Sequence, residues 1–103
     1  MAFTSNWTGG YDTLAAVVTF SDTVALTAAE RKPVICATAS AASKKLQLDL
    51  GDGEVAIVIN VGGTNAFTAI NLEGDTGTSI AAGKVALIVG SSTANGSKIY
   101  VLN

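Results

Sequence analysis

The sequence predicts an all-β protein, a compact antiparallel β-sandwich of jelly-roll or immunoglobulin-like kind with a short N-terminal arm. Three observations carry that reading. The stretch Leu46–Val61, LQLDLGDGEVAIVINV, alternates Leu with polar residues as far as Leu50, breaks at Gly51-Asp52-Gly53, and resumes as an almost unbroken β-branched run. Alternation marks a strand with one wet face, the glycines tolerate the positive φ of a tight hairpin, and the continuous run reads as a strand covered on both faces. Short apolar runs also recur at roughly 8–12-residue intervals between Gly-rich turns, the spacing of a sandwich. Finally, helix-forming signals are confined to one turn at Thr27–Pro33, where Thr27 and Glu30 match a capping box and Pro33 stops it.

In chain order, residues 1–10 (MAFTSNWTGG) read as an extended arm closed by a Gly pair, and residues 11–103 as a single domain. Phe3, Trp7 and Tyr11 are the aromatic residues of this region, and they are the candidate partner-binding residues, since aromatics on a terminal arm either fold back or dock on a partner. Tyr11–Phe20 is β-prone, and Thr23–Leu26 alternates as a short strand after the Ser21-Asp22 turn. Val34–Thr38 is a strand, and Ala39–Ser43 is a small-residue linker into the central hairpin of Leu46–Val61. Beyond it, Ala66–Leu72 alternates loosely, Glu73–Ser79 is a polar loop, Lys84–Val89 is a second buried strand, and Lys98–Leu102 is a closing strand. One internal similarity stands out: Gly53–Ile59 (GEVAIVI) matches Gly83–Val89 (GKVALIV) thirty residues later. Two copies fall short of a solenoid, and they read as two strands in equivalent positions of a two-sheet sandwich.

The chain has 103 residues, of which 49% are hydrophobic and 14% charged. That is one domain with a core, not a disordered segment. So little charge leaves Thr, Ser, Asn, Gly and Ala to cover the surface, a composition suited to burial against other subunits. The net charge is −2, and the basic pairs Arg31-Lys32 and Lys44-Lys45 have no interleaved aromatics. Nucleic acid is therefore not an expected partner, because phosphate neutralisation needs a basic stripe. No apolar run reaches the ~18 residues of a membrane span, and no secretory leader is visible, so synthesis in a cytoplasm is expected. Cys36, the single cysteine, sits in the apolar run Val34–Ala37 and reads as a small hydrophobe.

Chemistry is scarce. Without histidine, the usual general base, the Ser-His and Cys-His nucleophiles and the commonest metal ligand are all missing. Asp49, Asp52 and Glu54 cluster around one turn, where a calcium site or acid/base pair competes with ordinary turn chemistry, and turn chemistry is the better account. Asp75, between Gly74 and Thr76, is read the same way. Gly77–Lys84 approaches a P-loop but has five residues between its glycines and Val85 in place of Ser or Thr. The expectation is a non-enzymatic protein with no cofactor, no metal and no catalytic residue.

Ser79–Asn103 (SIAAGKVALIVGSSTANGSKIYVLN) resembles the C-terminal part of small head fibre and capsid decoration proteins of tailed bacteriophages, and Ala25–Ile35 and Lys44–Thr64 share its character. The resemblance covers about four-fifths of the chain and rests on Gly, Ala, Val and Ser. It implies a β-rich structural protein of the virion, usually a homotrimer, that binds the major capsid protein at the capsid surface and stabilises or ornaments it. It also implies an anchoring role for the arm bearing Phe3, Trp7 and Tyr11. The chain departs from a full fibre in having almost no shaft. The alternative reading is a small β-sandwich binding module for carbohydrate or a host surface, with Trp7, Tyr11 and Tyr100 as its stacking platform.

Overall fold

The computed structural model describes residues 17–27 and 32–102, and those residues hold nine strands and no helix. The strands are β1 (Val17–Phe20), β2 (Val24–Ala25), β3 (Val34–Ala39), β4 (Lys44–Gln47), β5 (Val55–Asn60), β6 (Phe67–Ile70), β7 (Thr78–Ile80), β8 (Val85–Val89) and β9 (Lys98–Leu102). They form a five-stranded sheet, β1-β3-β5-β8-β9, and a four-stranded sheet, β2-β4-β6-β7. The arm 1–10, with Phe3, Trp7 and also Tyr11, lies outside the described residues, as does most of the helical turn expected after Thr27.

From β1 to β6 the chain changes sheet at every step. Each strand therefore returns beside its predecessor but one, running the same way. Val17 pairs with Cys36 and Val34 with Ile57 in one sheet, while Val24 pairs with Leu46 and Lys44 with Phe67 in the other. Parallel neighbours need a crossover of a dozen or more residues, and here a strand of the opposite sheet takes the place usually held by a helix. After β6 the path reverses: β7 runs antiparallel to β6, β8 to β5 and β9 to β8. The expected antiparallel sandwich is thus corrected to two mixed sheets, with four parallel pairs and three antiparallel ones.

The central hairpin is corrected with it. Leu46 belongs to the four-stranded sheet and Val55–Asn60 to the five-stranded one, so Gly51-Asp52-Gly53 arches between sheets. A hairpin and an arch use the same local residues. The partners decide between them, and β4 and β5 find β6 and β8. Ala39–Ser43 is likewise a corner between sheets, with Ser43 at φ 62°. The polar loop Glu73–Ser79 gives way to β7 at Thr78.

The internal repeat relates two strands of one sheet. Its two copies are β5 and β8, antiparallel neighbours in one sheet. The Gly53 amide donates to Gly90 O and the Gly90 amide to Glu54 O; at the other end Gly83 donates to Asn60 O and Asn60 to Lys84 O. The repeat is a local two-fold about the middle of the β5–β8 pair.

Both sheets contribute to one core. Small residues on the inner face of the five-stranded sheet (Ala37, Ala39, Ala56, Ala86) face bulky ones from the other (Leu46, Leu48, Phe67, Ile80), all buried. Alternating small and large side chains lets the layers interdigitate at interior density. Phe20 meets Phe67 edge-on with ring centroids 5.3 Å apart, joining the sheets near β1. Asparagines secure the corners. Asn71, fully buried, accepts from the Leu50 amide at 2.7 Å and donates to Leu50 O and Ser91 O, both at 3.0 Å. Asn60, equally buried, donates to Ile80 O and Asn65 O and accepts from the Gly62 amide.

Candidate interaction surface

The acidic residues singled out in the sequence are each held by a turn. Asp49, at φ 57°, accepts from Gln47 Nε2 at 2.8 Å, and Glu54 closes the arch by accepting from the Gly51 amide. Asp52 reaches across to the next loop, where its carboxylate accepts from the Ser92 amide at 2.6 Å and from Ser92 Oγ at 2.9 Å. These bonds, the backbone one foremost, hold the exposed carboxyl below the ordinary aspartate range against a smaller opposing effect of desolvation. Asp75 is buried and accepts from the Leu72 and Asn95 amides, so it joins two loops. Glu54 and, through Leu72, Asp75 close their own turns, whereas Asp52 ties two loops together and Asp49 accepts from a side chain.

The outer faces of the two sheets differ sharply. Because paired residues point to the same side, the register places Ala25, Gln47 and Ile70 in one outward row of the four-stranded sheet and Lys45, Thr68 and Ser79 in another. Ile70, which is itself buried, apart, these are small or polar. The five-stranded sheet presents the opposite. One outward row reads Val34, Ile57, Leu87, Tyr100; the next reads Cys36, Ile59, Val85, Leu102; a third reads Val55, Val89, Lys98. Lys98, at the margin, is the single charge in those rows. Val55 is 52% exposed, Tyr100 55% and Leu102 48%.

This face comes straight from the unbroken β-branched runs of β5 and β8. Such runs are read as strands covered on both sides, and here the inner side alone has its cover in the described residues. Four strands at about 4.8 Å and five residues at about 3.3 Å make an apolar area on the order of 300 Å² in outline. That lies at the lower end of the ~300–600 Å² that the largest patch on a typical monomer covers. The signal in the sequence was the absence of polar alternation in β5 and β8. The surface could not be located from it, because the sheet order that sets β3, β5, β8 and β9 side by side is not written locally.

Comparison with protein-family models, curated proteins and solved structures finds no match to this chain.

Cys36 is a free, half-buried thiol within this apolar face and packs as the small hydrophobe expected. Phe3, Trp7 and Tyr11, the residues proposed for partner binding, lie outside the described residues. Tyr100 is exposed on the apolar face. A separate open pocket of about 170 Å³ lies between the start of β7 and the start of β9, lined by Asp75, Thr76, Thr78, Asn95, Ser97 and Ile99. Tyr100 and this pocket are on opposite sides of β9, so the structure does not bring them together as one sugar site.

Proposed function

We propose that this chain is a non-enzymatic structural protein of a phage virion, a capsid decoration or head fibre protein that works by being packed against other subunits. The observation that carries the reading is the apolar outer face of the five-stranded sheet, with Lys98 at its margin the single charge in its outward rows. A surface of that kind favours assembly by apolar burial, about 25 cal/mol for each Å² removed from water, and offers few groups for binding a small polar ligand. The low overall charge and the resemblance of Ser79–Asn103 to head fibre and decoration proteins support the virion as the setting. In this reading the two sheets form a sandwich, wound as a coil rather than in jelly-roll or immunoglobulin order. The apolar face lies at the contact between copies of a homotrimer, and the N-terminal arm with Phe3, Trp7 and Tyr11 reaches the major capsid protein.

Cosedimentation with undecorated capsids tests it. The chain is expected to pellet with shells at micromolar concentration, and Trp7→Ala to weaken that binding without changing the assembly state. Failure of the unmodified chain to pellet removes the decoration role. The alternative, a carbohydrate or host-surface module, has the polar pocket beside β7 in its favour, and glycan-array binding lost on Asn95→Ala would support it.

A further inference from the structure

Asn95 is the only asparagine in the chain that is followed by glycine. That dipeptide carries a reactivity of its own. Gly96 has no side chain to shield its nitrogen, and that nitrogen can attack the carboxamide carbon of Asn95. The new C–N bond closes a five-membered succinimide, the carboxamide nitrogen leaves as ammonia, and water then opens the ring to aspartate or isoaspartate. Base and water suffice as co-reactants. The step requires the Gly96 amide to give up its proton, and the Asn95 side chain to swing back onto its own main chain.

Asn95 lies exposed on the loop between β8 and β9, within reach of water and hydroxide. The folded loop blocks both requirements. Thr93–Gly96 is a β-turn in which the Gly96 amide donates to Thr93 O at 2.9 Å. Asn95 takes its third position at φ 57°, a conformation that asparagine tolerates. The hydrogen of the nucleophile is thus committed to a carbonyl. The carboxamide is held from the other side, where its Oδ1 accepts from the Thr76 amide at 2.8 Å. The Asn95 amide donates to Asp75 Oδ1 at 2.7 Å, and Asp75 is itself buried and fixed by the Leu72 amide. Closing the ring means that Gly96 lets go of Thr93 and Asn95 lets go of Thr76.

We infer that Asn95-Gly96 is a deamidation site that the fold holds latent, with the buried Asp75 carboxylate as its latch. Opening of the loop over residues 90–97 sets the rate, and the change is not reversed once ammonia has left. An aspartate at position 95 adds a negative charge beside the Asp75 carboxylate. An isoaspartate lengthens the main chain of the turn by one atom, so the bond between Gly96 and Thr93 loses its register. Either product loosens the loop that walls the polar pocket beside β7. The modification therefore records how long this end of the molecule has spent open. It involves neither the apolar face nor the arm, so it stands independently of the capsid reading.

Peptide mass mapping of the full chain, kept in mildly alkaline buffer, tests it. Cleavage after Lys84 and Lys98 releases a peptide in which Asn95 is the only amide side chain, so a gain of one dalton there reports this residue. Unfolded in guanidinium chloride, the chain should gain that mass steadily, and faster at higher pH. Folded, it should do so at least about tenfold more slowly, in proportion to the open fraction of the loop. Asp75→Ala, with its far-UV spectrum unchanged, should recover most of that difference. A second measurement covers the case in which this variant fails to fold: in the unmodified chain, folding should slow exchange of the Gly96 amide hydrogen, followed by NMR, by a comparable factor. No mass gain in the unfolded chain overturns the site. Equal deamidation rates in the folded and unfolded chain overturn the latch, as does a folded Asp75→Ala no faster than the unmodified chain, or a Gly96 amide that exchanges as fast folded as unfolded.

Discussion

At the scale of single residues, the structure depends on a few polar side chains that finish what the strands leave undone. Asn71 satisfies both the amide and the carbonyl of Leu50 and the carbonyl of Ser91 from a fully buried site. Asn71→Ala strands those groups without water, so urea unfolding should show a loss of about 2–4 kcal/mol with an unchanged slope. Asp52 gives a pH signature instead. Its folded-state pKa lies below the ordinary value of 3.8, so the stability from its Ser92 bonds is fully present above that value. It is lost as pH falls through the folded-state pKa. A carboxyl-detected NMR titration should find Asp52 titrating below the ordinary aspartate value, and Ser92→Ala, which removes the hydroxyl bond but keeps the backbone one, should move it part of the way back up.

At the scale of elements, the turns that lead into strands impose the strictest backbone demands. Gly77 leads into β7 with φ +73°, and a Cβ there would lie 2.3 Å from Ala69 O and 2.5 Å from Ile70 Cγ2. Backbone in the middle of β6 cannot retreat, so Gly77→Ala should cost about 2–4 kcal/mol. Gly83, at φ +79°, has open space around its missing side chain. Gly83→Ala should therefore cost only about 1 kcal/mol, the backbone term alone. Comparing the two urea midpoints separates crowding from conformational strain. Gly83 and Gly53 are the matching turns of the repeat, each placed where a strand of the β5–β8 pair begins.

At the scale of the whole molecule, one face is sealed and the other is not. The core has Phe67 at its centre, fully buried against Phe20, and Phe67→Ala should destabilise the fold by about 3–5 kcal/mol. Ile57 lies on the outer side of the five-stranded sheet and is 36% exposed. Ile57→Lys should leave thermal stability of the dissociated chain within about 1 kcal/mol while shifting the assembly toward smaller species in light scattering. If the mass does not change, the outer face is not a contact between copies. The parallel strands of the coil are joined across long sequence separations, a topology that slows folding relative to local hairpins.

What the sequence determined by itself is the material of the fold. β-branched runs, period-2 alternation at Leu46–Leu50 and glycines at the breaks dictate strands and turns, because these are preferences of each residue and its immediate neighbours. The repeat in β5 and β8 and the apolar reading of Cys36 were legible for the same reason. Only the tertiary structure decided which strands meet. Gly51-Asp52-Gly53 suits a hairpin and an arch alike, and the choice falls to partners 20 residues or more away in the chain, through the pairing of β4 with β6 and of β5 with β8. That choice turned an expected antiparallel arrangement into a coil with mixed sheets. It also gathered Val34, Ile57, Leu87 and Tyr100 into one row, although each belongs to a different strand. An interaction surface made across strands is a property of their order, and strand order is set by the burial of the whole core, which no local stretch encodes.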